Sequence, residues 1–247
     1  MQIFEPFIWG FDDLEAIFFM TLLLLLYFAD IPYLGNEVPF YLCRITRKIW
    51  LAGQVVYIVC ATAIYTVAIL LSTILICGQR CYVGNIWSET AVKLAFTSAG
   101  KKLSLAASEK TLELTRPYAC MTTIFFLLFA YALVMVLLIF WFRILWNELA
   151  GMIAGVVFNG ISFIFSPGIL QKLLGISERK SYLANVAAGW ISPLSHATYH
   201  LHNFGYDRLP SLRDSGIYDM VLVIMLILLN LYSIRTYHFV FDGTGER

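Results

Sequence analysis

The chain has 247 residues, of which 60% are hydrophobic and only 13% charged, with a formal net charge of +1. Soluble domains carry about 25% charged residues, so this composition excludes an ordinary water-facing globule. The near-neutral balance gives nucleic acid or an acidic partner nothing to recognise.

A transmembrane helix needs roughly 20 mainly apolar residues. Five stretches meet or approach that length: Leu14–Ala29, Trp50–Cys77, Ala119–Trp141, Leu149–Phe165 and Ile217–Ile234. The first is short, and Phe7–Phe11 extends it; the second carries no charge; the fourth is rich in glycine. In lipid, backbone polar groups must be paired within their own segment, and the alternating pattern of a barrel is absent, so these are helices. The expected fold is all-α, a polytopic transmembrane helical bundle of five spans filling residues 1–247 as one domain.

Flanking charge sets the expected orientation. Only Glu5, Asp12, Asp13 and Glu15 accompany the start of the first span, while Arg44, Arg47 and Lys48 follow it. The N-terminus is therefore expected outside and the 30–49 loop in the cytoplasm. Five spans bring the C-terminus inside, with Arg143, Arg235 and Arg247 in agreement. The loops 78–117 and 166–216 then lie outside, although basic residues such as Arg80, Lys93 and Lys110 in the first of them pull the other way. The first loop reads as partly helical. The second mixes apolar and polar residues, which suits a helix lying at the interface or dipping back into the bundle. No Lys or Arg precedes the first apolar run, so no secretory signal peptide is expected. The cysteines, Cys43, Cys60, Cys77, Cys81 and Cys120, form no C-x-x-C pair. Free thiols are expected, with a Cys77–Cys81 disulfide as the alternative on an oxidising face.

Between the first two spans, Pro32 and Pro39 divide the connection into a turn and a short helix. That helix groups Tyr41, Arg44 and Lys48 on one face and Phe40, Cys43 and Arg47 on the next. Basic and aromatic residues hung between two spans suit docking onto a cytosolic partner, or anchoring on anionic head groups. The order FEPFIWGFDD, an apolar span, then FADIPYLGNEVPFYLCRITRKIWLAGQVVYIV resembles bacterial ABC exporter permeases of the second, exporter-type class. The resemblance covers most of the chain: span order, cytoplasmic connector, a tight hinge near Asn147–Glu148 and an apolar outer segment before the last span. It implies a coupling helix over roughly Pro39–Trp50 that sits in a groove of a separate cytosolic ATPase subunit, with Tyr41, Arg44, Arg47, Lys48, Trp50 and Glu148 at the contact. It also implies a second permease chain, identical or different, in a bacterial cell membrane. The cargo would be a peptide, lipid or amphiphilic compound. Family members have six spans, so a first span is expected upstream or is missing from a shortened subunit.

Other motifs bear on chemistry. The nearest approach to a P-loop, AFTSAGKK at 95–102, lacks the first glycine and ends in Lys, so no ATPase or other enzymatic activity is expected of this chain. ATP and Mg would belong to the partner subunit, with no cofactor or metal here. Gly151 and Gly155 form a small-xxx-small pair suited to close helix packing. Asn159 and Asn230 lie inside spans, where they are expected to bond across helices, and Ser72 and Thr73 either do the same or bond back to their own helix. His196, His200 and His202 cluster in SHATYHLH; a helix would put the first two on one face at a zinc-binding spacing, but the Glu of H-E-x-x-H is absent. Interfacial histidines are the plainer reading. Two rivals to the permease remain: an accessory or immunity membrane protein without transport activity, and an intramembrane metal-dependent hydrolase.

Overall fold

The computed structural model describes residues 1–32, 44–78, 81–97, 100, 109–173, 175, 177, 180–205 and 207–237. Tyr41, Cys43 and the rest of 33–43 lie outside the described residues, as do Lys101 and Lys102. The described chain is helical: α1 Glu5–Phe11, α2 Leu14–Tyr27, α3 Arg47–Cys77, α4 Glu89–Phe96, α5 Glu109–Leu114, α6 Pro117–Leu145, α7 Glu148–Ile164, α8 Pro167–Leu173, α9 Ser181–Ile191, α10 Pro193–Ala197 and α11 Leu212–Ser233. A single turn of 3-10 helix covers Tyr199–Leu201.

Three helices, α3, α6 and α11, are each long and apolar enough to cross a membrane. At a rise of about 1.5 Å per residue, the 31 residues of α3 reach some way beyond a hydrocarbon core of about 30 Å. Helices α7 and α8 pass the same test together but bend by 71° at their junction, a broken span or a re-entrant turn. Among the described residues there are thus three such helices, or four if the bent pair counts as one span, and their length and apolarity are those of a membrane protein. The first expected span is different. Asp12 and Asp13 interrupt it: Asp12 closes α1, and the Asp13 side chain caps α2 by accepting from the Ala16 amide. That leaves 14 residues for α2, about 21 Å of helix. Short polar side chains that bond their own backbone favour such caps over a continuous helix.

Contacts at the ends show how the segments alternate. The buried Arg143 near the end of α6 donates to the carbonyls of Phe28 and Ile31 just past α2. Arg47 at the start of α3 donates to the carbonyls of Ile234, Arg235 and Tyr237 just past α11. Trp146 and Asn147 alone separate α6 from α7. One end of the bundle thus gathers the ends of α2, α6 and α11 and the starts of α3 and α7. At the other end, the Ile3 amide bonds the Tyr82 carbonyl, the Glu5 carboxylate accepts from both the amide and hydroxyl of Ser88, and the Tyr118 amide meets Asn85.

Helix α6 is the hub. Leu128, Ala132, Met135, Leu137 and Phe140 are fully enclosed, with α1, α2, α3, α7, α10 and α11 packed around them. Gly151 and Gly155 mark where α7 crosses α6. A Cβ on Gly151 would collide with Cγ of Arg143 and meet the Ile139 carbonyl at 2.8 Å; on Gly155 it would meet Leu25 at 2.6 Å and Ile139 at 3.0 Å. Asn159 ties three helices together: its amide donates to the Phe18 carbonyl and the Thr21 hydroxyl of α2, and its oxygen accepts from Tyr131 of α6. Asn230 donates to Leu226 of its own helix and, at 3.4 Å, to Leu137 of α6. Ser72 and Thr73 bond back within α3. Cys60, Cys77, Cys81 and Cys120 are free thiols, and the Cys81 thiol donates to the Cys77 carbonyl.

Candidate functional site

The end of the bundle holding the start of α2 and α11 contains a set of buried ionisable side chains. Asp12, between α1 and α2, is 1% exposed. Its Oδ1 accepts from the His200 amide at 2.7 Å and from His200 Nδ1 at 3.1 Å, while Oδ2 faces the Thr111 hydroxyl at 3.4 Å. Burial raises the Asp12 carboxyl above the ordinary carboxylate range, and His200 offsets only part of that. Burial alone would lower the His200 imidazole, but the adjoining Asp12 carboxylate outweighs it, so His200 sits above its ordinary value.

Some residues further on, His196 and His202 converge on one hydroxyl. Ser215, in the first turn of α11, lies 2.8 Å from Nδ1 of His196 and 2.8 Å from Nε2 of His202. The opposite nitrogens face carbonyls, Trp190 at 3.2 Å for His196 and Tyr199 at 3.0 Å for His202. A nitrogen facing a carbonyl must carry the proton, so each neutral ring presents a lone pair to Ser215. One hydroxyl hydrogen serves one lone pair. The pair of rings is therefore one proton short of full pairing. Burial opposes the addition of that proton: it lowers both imidazoles, His202 to about 4. The His196 ring also stacks on Tyr218, with centroids 4.2 Å apart.

The local sequence explains this convergence. Ser192 caps α10 and Pro193 starts it, but the helix stops at Ala197 because Thr198 is extended. His196 and His200 consequently do not share a helical face: His200 turns to Asp12 and His196 to Ser215. The shared helical face that zinc-binding spacing would need therefore does not form, and among the described residues no three His, Cys, Asp or Glu side chains converge on a possible metal position. A hollow of about 550 Å³ adjoins the cluster, with Asp13, Ser162, Asn185, Ser192, Ser195 and His200 on its walls.

Neither a family model, nor a curated protein, nor a solved structure matches the chain.

The residues expected at an ATPase contact lie at the opposite end. Arg44, Lys48 and Glu148 are exposed there. Trp50 is buried, 7% exposed, in the core formed by α3, α6 and α11 and stacks on Tyr237. Arg47 spends its guanidinium on the carbonyls past α11. These two side chains hold helices together, although Arg47 is exposed like Arg44, Lys48 and Glu148; Tyr41 lies outside the described residues. Sequence reasoning missed Asp219, the sole acid in the expected span Ile217–Ile234, although an acid in an apolar span is by itself a signal of function. It also missed Ser215 as the meeting point of two histidines, which no spacing rule encodes.

Proposed function

We propose that the chain is the membrane permease subunit of an ATP-driven, exporter-type ABC transporter in a bacterial cell membrane. A separate cytosolic ATPase subunit supplies ATP and Mg chemistry, and a second permease chain completes the transport path. The observation that carries this reading is the exposed rim at one end of the bundle. Arg44 and Lys48 at the start of α3 and Glu148 at the start of α7 are all exposed at that end. Charged side chains of both signs on a rim of this kind fit a docking face for a soluble subunit, and this rim is then the cytoplasmic one. The uncovered apolar sides of α3 and α11, including Ile64, Leu75, Val221 and Leu228, are available to lipid and to the second chain. Transport follows as rigid-body switching driven by closure of the ATPase pair.

The test is capture of the tagged chain from native membranes in mild detergent. A P-loop ATPase is expected at stoichiometric amounts, and it is lost when Arg44→Glu and Lys48→Glu are combined. Arg47 is left unchanged in this variant because its guanidinium holds the carbonyls just past α11. A chain that is captured without any ATPase overturns the reading in favour of an accessory membrane protein.

A further inference from the structure

A second site lies on the outer side of the hub, one turn of α11 beyond Ser215. A groove of about 540 Å³ runs between α6 and α11. Its walls are mainly apolar, with Phe126 and Leu133 from α6 and Met220 and Val223 from α11, and the hydroxyls of Thr122 and Thr123 are the uncharged polar lining groups. Asp219 also lines it, and among the described residues it is the only charged lining group. The Asp219 side chain is 3% exposed, and its Oδ2 is buried with no hydrogen-bond partner. No described cation forms a salt bridge with it.

We propose that this groove binds an amphiphilic organic cation, with the Asp219 carboxylate as its counter-ion. A bare carboxylate among apolar walls is unfavourable unless a partner meets it. The groove's volume falls in the range of about 300–1,000 Å³ that holds drug-sized molecules. A lipid tail would fill the walls and leave the carboxylate unmet, and an anion would be repelled. A compact metal ion needs about six oxygen ligands, far more than one carboxylate supplies. A positive centre on an apolar body satisfies both features at once. Phe126 and Met220, each 65% exposed, flank the mouth. Both helices are long enough to span, so the mouth opens onto lipid, where amphiphilic cations accumulate. Asp219 sits about 10 Å along α11 from its first residue, within reach of a ligand entering from that leaflet. This assignment rests on the permease reading for its purpose, since it names the class of cargo, but binding itself needs only this chain.

The experiment uses the full chain purified in an uncharged detergent, with tetraphenylphosphonium as probe and calorimetry as readout. Triphenylphosphine oxide, a neutral molecule with a similar aryl body, serves as the comparison. Saturable binding of the phosphonium is expected, tighter than the oxide by roughly tenfold or more, and Asp219→Asn should remove that preference. Leu133→Trp, which fills the groove without touching the charge, should abolish binding of both probes. Equal phosphonium affinity in the wild type and Asp219→Asn overturns the proposal. So does a folded wild type that does not distinguish the two probes, a result that stands even if Asp219→Asn fails to fold. Charge-dependent binding by a chain that captures no ATPase would keep the site and sink the permease reading; ATPase capture without such binding would sink the site alone.

Discussion

Helices α3 and α6 are nearly the same length, 31 and 29 residues, and both are overwhelmingly apolar, yet 67% of the most apolar stretch of α6 is buried and only 22% of that of α3. The sequence gives each the same membrane-crossing signal, because hydropathy measures partition into lipid and lipid is as apolar as a protein core. What separates them is contact. Helix α6 receives glycines, polar side chains and neighbouring helices over most of its surface; α3 offers one face to the bundle and leaves Val56, Ile64, Leu71 and Leu75 outward. In a membrane, packing and interhelical hydrogen bonds decide which helix is central, since burial against protein gains little over burial against lipid.

Matched substitutions break this comparison most sharply at glycine. Gly151→Leu forces a side chain into the Ile139 carbonyl and Arg143, where α7 crosses α6, and should eliminate the monodisperse folded species in size-exclusion chromatography. Gly53→Leu on α3, where a Cβ meets nothing within 4 Å, should elute like the wild type. A milder pair follows. Phe140→Ala in α6 should cost about 3–5 kcal/mol by cavity formation, whereas Leu75→Ala, 78% exposed on α3, should stay within about 0.5 kcal/mol, both read by denaturant titration in detergent.

Smaller effects involve the histidine cluster and its pH dependence. His202 is lowered on folding to about 4, so the unfolded chain takes up its proton first and stability is lost as pH falls through the ordinary imidazole value of about 6.5 toward that lowered value. His196 works in the same sense. His200 is raised, so its contribution is complete below about 6.5 and is lost as pH rises through its folded value. Asp12, also raised, favours the folded state on the acid side and blunts the loss there. Thermal stability in detergent should therefore fall on the acid side, below about 6.5, through His202 and His196, and on the alkaline side through His200. His202→Gln should flatten the acid limb, by at most about 3 kcal/mol, and His200→Gln the alkaline limb. A pH-independent melting temperature in the wild type would refute this reading. Smallest of all, Asn159→Ala strands the Tyr131 hydroxyl between α2, α6 and α7 and should cost about 1 kcal/mol, with Tyr131→Phe in the same background recovering most of it.

Much of the helical framework was legible in the chain itself. Four of the five expected stretches, those beginning at Trp50, Ala119, Leu149 and Ile217, coincide with α3, α6, α7 and α11, because long uncharged runs have few other solutions in lipid. The first, Leu14–Ala29, is the short helix α2, Leu14–Tyr27, but its extension back to Phe7–Phe11 is not continuous, because Asp12 closes α1 and Asp13 caps α2. Asn159 was legible as a residue that bonds across helices. The candidate site was hardly legible. Its members, Asp12, His196, His200, His202 and Ser215, come from three separated segments, and Thr198 decides their partners by ending α10. Asp219 could have been found from composition alone, as a lone acid in a greasy run; its groove required the neighbouring helix.

The clasp of Arg47 on the carbonyls past α11 has a mechanical consequence. It fastens the residue that opens α3 to the tail of the helix that forms one wall of the Asp219 groove. The start of α3 and the tail of α11 are thereby one joined end, so the first turn of α3 cannot part from α11 without breaking that clasp.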